Sequence, residues 1–322
     1  MLNRRVAKWI LLLGAGLIGV LLILFFYISS RVKSDFENRI NKHTQALKSQ
    51  DLALDFKPFK CKGLLNYECK SPYLKISEPE GRVLVELEDF IIGLKNIKTK
   101  SMEEYARGKI LTLPFDAPLD FMPQEFEYHN DDSVLDVRGG EILRKSTLKL
   151  KAKGLWFAIS GNMRAKSEDF VNKNIIKIAF HSYDWDFYNK LSLYVKDIEL
   201  QLQSKNLKES YLDFLRQSEG ELSDEQYNYL IDEKVKGLGF LMGMFGLFNT
   251  PYHEDLLGVL GGYADLLKGK ISSVKVNLSS QDEVYFDFSY FDFHNPDSVQ
   301  RFLAKIFNHY KMKVLITPTE GR

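Results

Sequence analysis

A chain of 322 residues with 45% apolar and 27% charged residues can bury a sizeable core, which excludes general disorder. Lys plus Arg (44) all but cancel Asp plus Glu (43), so a formal net charge of +1 leaves no basic footprint for a nucleic-acid partner. Aromatics at 13%, with 23 Phe and 16 Tyr, suit amphipathic strands.

Residues 1–8 read as a basic cytoplasmic tail carrying Arg4, Arg5 and Lys8. Residues 9–28, Trp9 to Ile28, are an uncharged run long enough to cross a hydrocarbon core of roughly 30 Å, so the sequence predicts an uncleaved transmembrane helix, a signal-anchor. Arg31, Lys33, Arg39 and Lys42 follow it, so the basic residues alone do not orient it; the short, purely basic leading flank predicts an N-in, C-out topology. The expected location is therefore the inner (cytoplasmic) membrane, single-pass, with the C-terminal domain in the periplasm. Residues 29–50 place Val32, Phe36, Ile40 and Leu47 on one helical stripe and read as a juxtamembrane stalk helix. An extracytoplasmic β-rich domain over 51–322 is expected next, with a helical insertion over 207–268.

Cys61 and Cys69 are the only cysteines, and Gly63 and Asn66 between them permit a turn. A disulfide, two buried free thiols or a metal site each fit that pattern. The spacing favours the disulfide, and no neighbouring His completes a zinc set.

From Leu52 the hydrophobic period becomes two. Leu52, Leu54 and Phe56, then Val83, Val85 and Leu87, then Leu148, Leu150 and Ala152 against Lys149, Lys151 and Lys153, describe strands with one apolar and one wet face, the mark of an antiparallel sheet. Farther on the phase changes: Ile176, Ile178 and Phe180 share one face, Tyr183, Trp185 and Phe187 the other. Ile198, Leu200 and Leu202 restore even parity after Leu191, Leu193 and Val195. A turn or bulge is expected near His181 to Asp186 and another near Lys196. A last hairpin is expected to pair Val274, Val276 and Leu278 with Val284, Phe286, Phe288 and Tyr290.

Helices are predicted over Leu207 to Gln217, from a capping box at Ser223 to Gln226, and from Thr250 and Pro251 to Gly269. Asn295-Pro296 starts a C-terminal amphipathic helix with Val299, Phe302, Leu303, Ile306, Phe307 and Tyr310 on one stripe. The second and third helices form a hairpin whose glycines, Gly239 and Gly243 in one arm and Gly258 and Gly262 in the other, let the backbones approach. Its first arm ends almost wholly apolar, with Phe240, Leu241, Met242, Met244, Phe245, Leu247 and Phe248. Such an arm either plugs the core or touches lipid or an apolar ligand, and Phe240, Leu241, Met244, Phe245 and Phe248 are the candidate contact residues.

Catalytic parts are missing. There is no G-x-S-x-G and no Cys-x-x-Cys, and His253 lacks the second His of a zinc-protease helix. The best cluster, His181, Ser182, Asp184 and Asp186, needs partners from elsewhere and reads as a strand turn; a hydrolase built on it ranks third among the functional readings. No catalytic residue, metal site or cofactor is assigned.

The single N-terminal anchor followed by long amphipathic strands, including "TLKLKAKGLWFAISGNM" and "LSLYVKDIELQLQ", resembles the AsmA-like group of bacterial envelope proteins. That resemblance implies a curved sheet whose apolar face holds or passes lipid, without implying roles for individual residues; the helical hairpin departs from the group's pattern. The combined expectation is an α+β protein: an N-terminal transmembrane helix, then a curved, mainly antiparallel β-sheet with the helical hairpin and the C-terminal amphipathic helix packed on it. Its expected function is non-enzymatic binding or passage of lipid or another apolar ligand along the sheet, with membrane lipid and other envelope proteins as partners. The alternative is an anchored scaffold or partner-binding protein with no ligand groove.

Overall fold

The computed structural model describes residues 26–27, 29–46, 52–113, 122–175, 178, 191–204, 206–244, 252–287 and 308–318. They open with a helix over residues 29–46, α1. Strands follow: β1 (Ala53–Phe56), β2 (Lys60–Lys62), β3 (Tyr67–Ser77), β4 (Val83–Lys95), β5 (Ser101–Thr112), β6 (Glu125–Asp136), β7 (Glu141–Lys151), β8 (Leu155–Lys166) and β9 (Ser192–Ser204). Helices α2 (Leu207–Glu219), α3 (Asp224–Met244) and α4 (His253–Leu267) precede β10 (Ile271–Ser280), β11 (Phe286–Asp287) and β12 (Tyr310–Pro318).

All of the strands belong to one 12-stranded sheet in the order β1-β3-β4-β5-β6-β7-β8-β9-β10-β12, with β2 on β3 and β11 on β9. Every pairing is antiparallel. The period of two explains why. Phe126, Leu150, Phe157, Leu202, Val274 and Ile316 stand opposite one another across six strands. The next rung on the same face is Ala106, Tyr128, Leu148, Ile159, Leu200, Val276 and Val314. Between those rungs the opposite face carries Glu127, Lys149, Ala158, Gln201 and Lys275. Ion pairs such as Lys151–Glu127 at 3.1 Å and Lys275–Glu199 at 2.8 Å lie on that wet side.

The phase change expected near Lys196 is a bulge: Asn162 pairs with Asp197 but Met163 pairs with Val195, which leaves Lys196 as the extra residue. The one expected near His181 to Asp186 lies outside the described residues. The last hairpin is corrected. β10 pairs with β9 and β12, and β11 pairs with β9 at Leu193 and Ser192, antiparallel to β9 just as β10 is. The polar stretch after Ser280 is therefore a jog that lets the chain run on in the same direction; polar residues in a strand edge look the same in sequence as polar residues in a reversal.

Apolar layers cover the two flanks of the apolar face, and a third cluster, Ile142, Ala165, Phe170, Ile178 and Leu191, covers the far ends of β7 and β8. On one flank α1 buries Phe36 and Ile40 against Phe59, Tyr67, Cys69, Leu94 and Met102. The Asn41 amide donates to the Phe59 carbonyl at 3.2 Å and accepts from the Phe59 N–H at 2.8 Å. On the other flank α2, α3 and α4 pack with β10 around Leu212, Leu215, Tyr227, Ile231, Leu266, Ile271 and Val274. The Ser223 capping box forms as the sequence indicates: the Ser223 N–H donates to Gln226 Oε1 and the Gln226 N–H to Ser223 Oγ. α4 begins at His253 with Tyr252 as N-cap, later than expected; Thr250 and Pro251 lie outside the described residues. Gly269, at φ +71°, follows its last turn as anticipated.

One part of the expected fold class is overturned, and one residue of another is reassigned. No helix among the described residues is long and apolar enough to cross a membrane. The expected span from Trp9 to Ile28 lies, apart from Phe26 and Tyr27, outside them. The N-terminal transmembrane helix, the single-pass inner-membrane location and the periplasmic placement deduced from it are accordingly dropped. Tyr310, placed by the sequence on a helical stripe, instead begins β12, because Met312, Val314 and Ile316 alternate in register with Leu278, Val276 and Val274. The other residues of that stripe lie outside the described residues.

Candidate functional site

Between the two flanking layers the apolar face changes character. Phe126, Tyr128, Leu148, Leu150, Phe157, Ile159 and Leu200 are half-buried, and among the described residues none belongs to the fully buried clusters. Their register makes them a continuous band across β6 to β9. Backbone groups along it are committed to the ladders, so a greasy ligand would meet side chains without stripping partners from N–H or C=O groups.

One end of the band is polar. Glu104, Asn130 and Ser146 stand opposite one another on β5, β6 and β7, and the next rung outward holds Met102, Asp132 and Arg144. Arg144 grips Asp132 in a fork, Nε to Oδ1 at 2.9 Å and Nη2 to Oδ2 at 2.8 Å, with the Asp132 side chain 0% exposed. The Asn130 amide donates to Asp132 Oδ2 at 3.1 Å and to Glu104 Oε2 at 3.2 Å, and its oxygen accepts from Ser146 Oγ at 3.0 Å. Glu104 is half-buried as a residue, yet its Oε1 is out of solvent and has no hydrogen-bond partner.

The electrostatics follow from that packing. Burial raises the Glu104 carboxyl to about 7; Arg144 pulls it down, the neighbouring Asp132 carboxylate pushes it up, and the Asn130 amide pulls it down again. Arg144 is disfavoured by burial, but Asp132, first by its charge and then by its hydrogen bonds, and Glu104 more than compensate, so the guanidinium is held firmly charged. Burial also raises the Tyr128 phenol beside them. Two carboxyl groups thus share one guanidinium that is already engaged by one of them.

The hairpin residues fall in three places. Gly258 and Gly262 seat α4 on the sheet: a Cβ at Gly262 would lie 3.2 Å from Val274, and one at Gly258 would lie 3.7 Å from Val314. The α4 glycines therefore serve contact with the sheet, which the four-residue spacing could not distinguish from contact with α3. Gly239 is half-buried and Gly243 exposed. Phe240 is 70% exposed, Leu241 50% and Leu238 43%. At 100° per residue these side chains leave α3 in different directions, so the helix beyond Val235, which still packs against the core, does not lie in it. Met244 ends α3; Phe245 and Phe248 lie outside the described residues.

Cys61 and Cys69 face each other across β2 and β3 and form a disulfide, with Cα atoms 3.9 Å apart. His181, Ser182, Asp184 and Asp186 lie outside the described residues. Among those described, no group of His, Cys, Asp and Glu is arranged to hold a metal ion.

Sequence reasoning missed the polar network. Its signal was present: Asn130 and Asp132 continue the parity of Phe126 and Tyr128, and Arg144 and Ser146 that of Ile142 and Leu148, so polar residues occupy apolar-face positions on neighbouring strands. No protein-family model matches the chain, and no curated protein is significantly similar to it.

Proposed function

We propose that the protein binds lipid or another apolar ligand, without catalysis, on the half-buried band of its sheet, as the likeness to the AsmA-like pattern would have it. The observation that carries this reading is the band itself: an uninterrupted apolar surface over four strands that the two flanking layers leave outside their cores. Burial returns about 0.8 kcal/mol per methylene, so a chain of roughly ten methylenes offsets an association cost of several kcal/mol. The exposed apolar end of α3 is the natural point of contact with a lipid surface. Side chains that radiate on several sides of a helix suit immersion better than a one-sided protein groove.

The test is mass spectrometry of the purified full chain under non-denaturing conditions, together with uptake of a fluorescent acyl probe. Wild-type protein should carry or take up the chain, and Leu148→Asp and Ile159→Asp should lose it while keeping their strand circular dichroism. Phe240→Asp should weaken co-sedimentation with vesicles and spare probe uptake. A wild-type protein that neither carries nor takes up an apolar ligand would refute the band. The second reading, a partner-binding scaffold, would then be left, and it has an observation of its own: β12 ends the strand order with Leu315 and Ile316 exposed.

A further inference from the structure

The polar network at the end of the band is more than the sheet needs. Asp132 and Arg144 satisfy each other as a forked pair, and Asn130 with Ser146 completes their bonding. Glu104 adds a second carboxyl with no second cation among the described residues, and leaves Oε1 shielded and unpaired. A glutamine there would keep the contact to Asn130 at no electrostatic cost, so a purely structural network gains nothing from the acid. Among the described residues, what Glu104 lacks is a positive hydrogen-bond donor of its own.

We propose that Glu104, held by Asn130, forms a head-group site for the primary ammonium end of a single-chain amphiphile whose tail lies along the Tyr128, Leu148, Ile159 and Leu200 rung. This inference rests on the band being a ligand surface and adds the chemistry of the ligand. Placement supports it: Glu104 and Asn130 sit one rung from Ala106 and Tyr128, so a head at Glu104 adjoins the β6 end of the apolar rung. From β6 to β9 that rung crosses three strand spacings, roughly 14 Å, the reach of one extended chain of medium length, and its continuation on β10, Val276, is already packed against the helical layer. Charge complementarity selects the head. An anionic head would meet two carboxyl groups and an arginine whose Nε and Nη2 are already committed to Asp132. An ammonium supplies N–H donors to Glu104 Oε1 and neutralises the surplus acid.

Calorimetric titration of the full chain with dodecylammonium and with laurate, each below its micelle concentration and at neutral pH, tests this. Wild-type protein should prefer the amine by about tenfold, equivalent to about 1.4 kcal/mol. Glu104→Gln and Glu104→Ala should each bring the two affinities together while still binding a chain. Ile159→Asp should lose both ligands. An amine preference that survives both Glu104 variants, or a wild-type preference for laurate, overturns the head-group site and leaves the band standing. Failure of the wild type to bind either amphiphile overturns both.

Discussion

Glu104 is held between opposing pulls, and the balance has a measurable sign. Its carboxyl lies near 7 in the fold against 4.5 for the free group, chiefly because it is buried. The folded state therefore keeps a proton that the unfolded chain releases, and stability falls as pH rises from about 4.5 to about 7, levelling off above. The loss is at most about 3 kcal/mol. Carboxylates on the wet face act the other way and lower down: Glu68, held low by its hydrogen bond to Lys62 despite some burial, and Glu103, held low by Asn96 and then Lys95, contribute above their unfolded pKa and lose that contribution on acidification. Comparing wild type with Glu104→Gln isolates the first effect. Urea midpoints at about pH 5 and about pH 8 should converge in the variant and differ in the wild type, with the wild type weaker at the higher pH. Parity along β6 and β7 carried the signal that Asn130, Asp132, Arg144 and Ser146 face the apolar side. That they bond one another was not legible, because the contact joins strands whose register only the folded sheet defines.

At the scale of elements, local signals fared better than distant ones. The Ser223 box, the Gly269 terminus and the Lys196 bulge each depend on a few adjacent residues, and each is where the sequence puts it. The partner of β10 depends on residues far along the chain. Val284 and Phe286 have the right parity for it, but so do Met312, Val314 and Ile316, which take the place. Likewise Gly258 and Gly262 were recognisable as a close-approach face, but the sequence pointed to the other arm of the hairpin, whereas it is the sheet that approaches them. Their environments separate two substitutions. Gly262→Leu would drive its side chain into Val274 and Ile316 and should cost about 1–3 kcal/mol by prying α4 from the sheet. Gly258→Ala meets Val314 at an ordinary contact distance and should be neutral or stabilising by up to about 1 kcal/mol, since alanine is the better helix former. Thermal melts of the two variants check both signs.

For the whole molecule, cover is unequal along one sheet: α1 seals one flank, α2 to α4 seal the other, the Ile142 and Phe170 cluster closes the far ends of β7 and β8, and the band between them is half-buried. Alternation made the sheet and its two faces legible, whereas the uneven cover could not be read, since it depends on where each helix docks. The disulfide secures only the first flank. Cys69 lies in the cluster under Phe36 and Ile40, and the Cys61 N–H donates to Glu37 of α1 at 2.7 Å, so the bond ties β2, β3 and α1 together. With the cysteines 8 residues apart, loop-closure entropy puts its contribution at about 2–3 kcal/mol, and it persists only where the surroundings are oxidising. Local opening should then be asymmetric. In a Cys61→Ser, Cys69→Ser double variant, amide exchange in residues 29–46 and 60–70 should accelerate first, while α2 to α4, whose core around Tyr227 and Leu266 contains neither cysteine, keep their protection. Uniform acceleration across both flanks would mean instead that the sheet opens as a single cooperative unit, and that the band between the flanks is coupled to each of them.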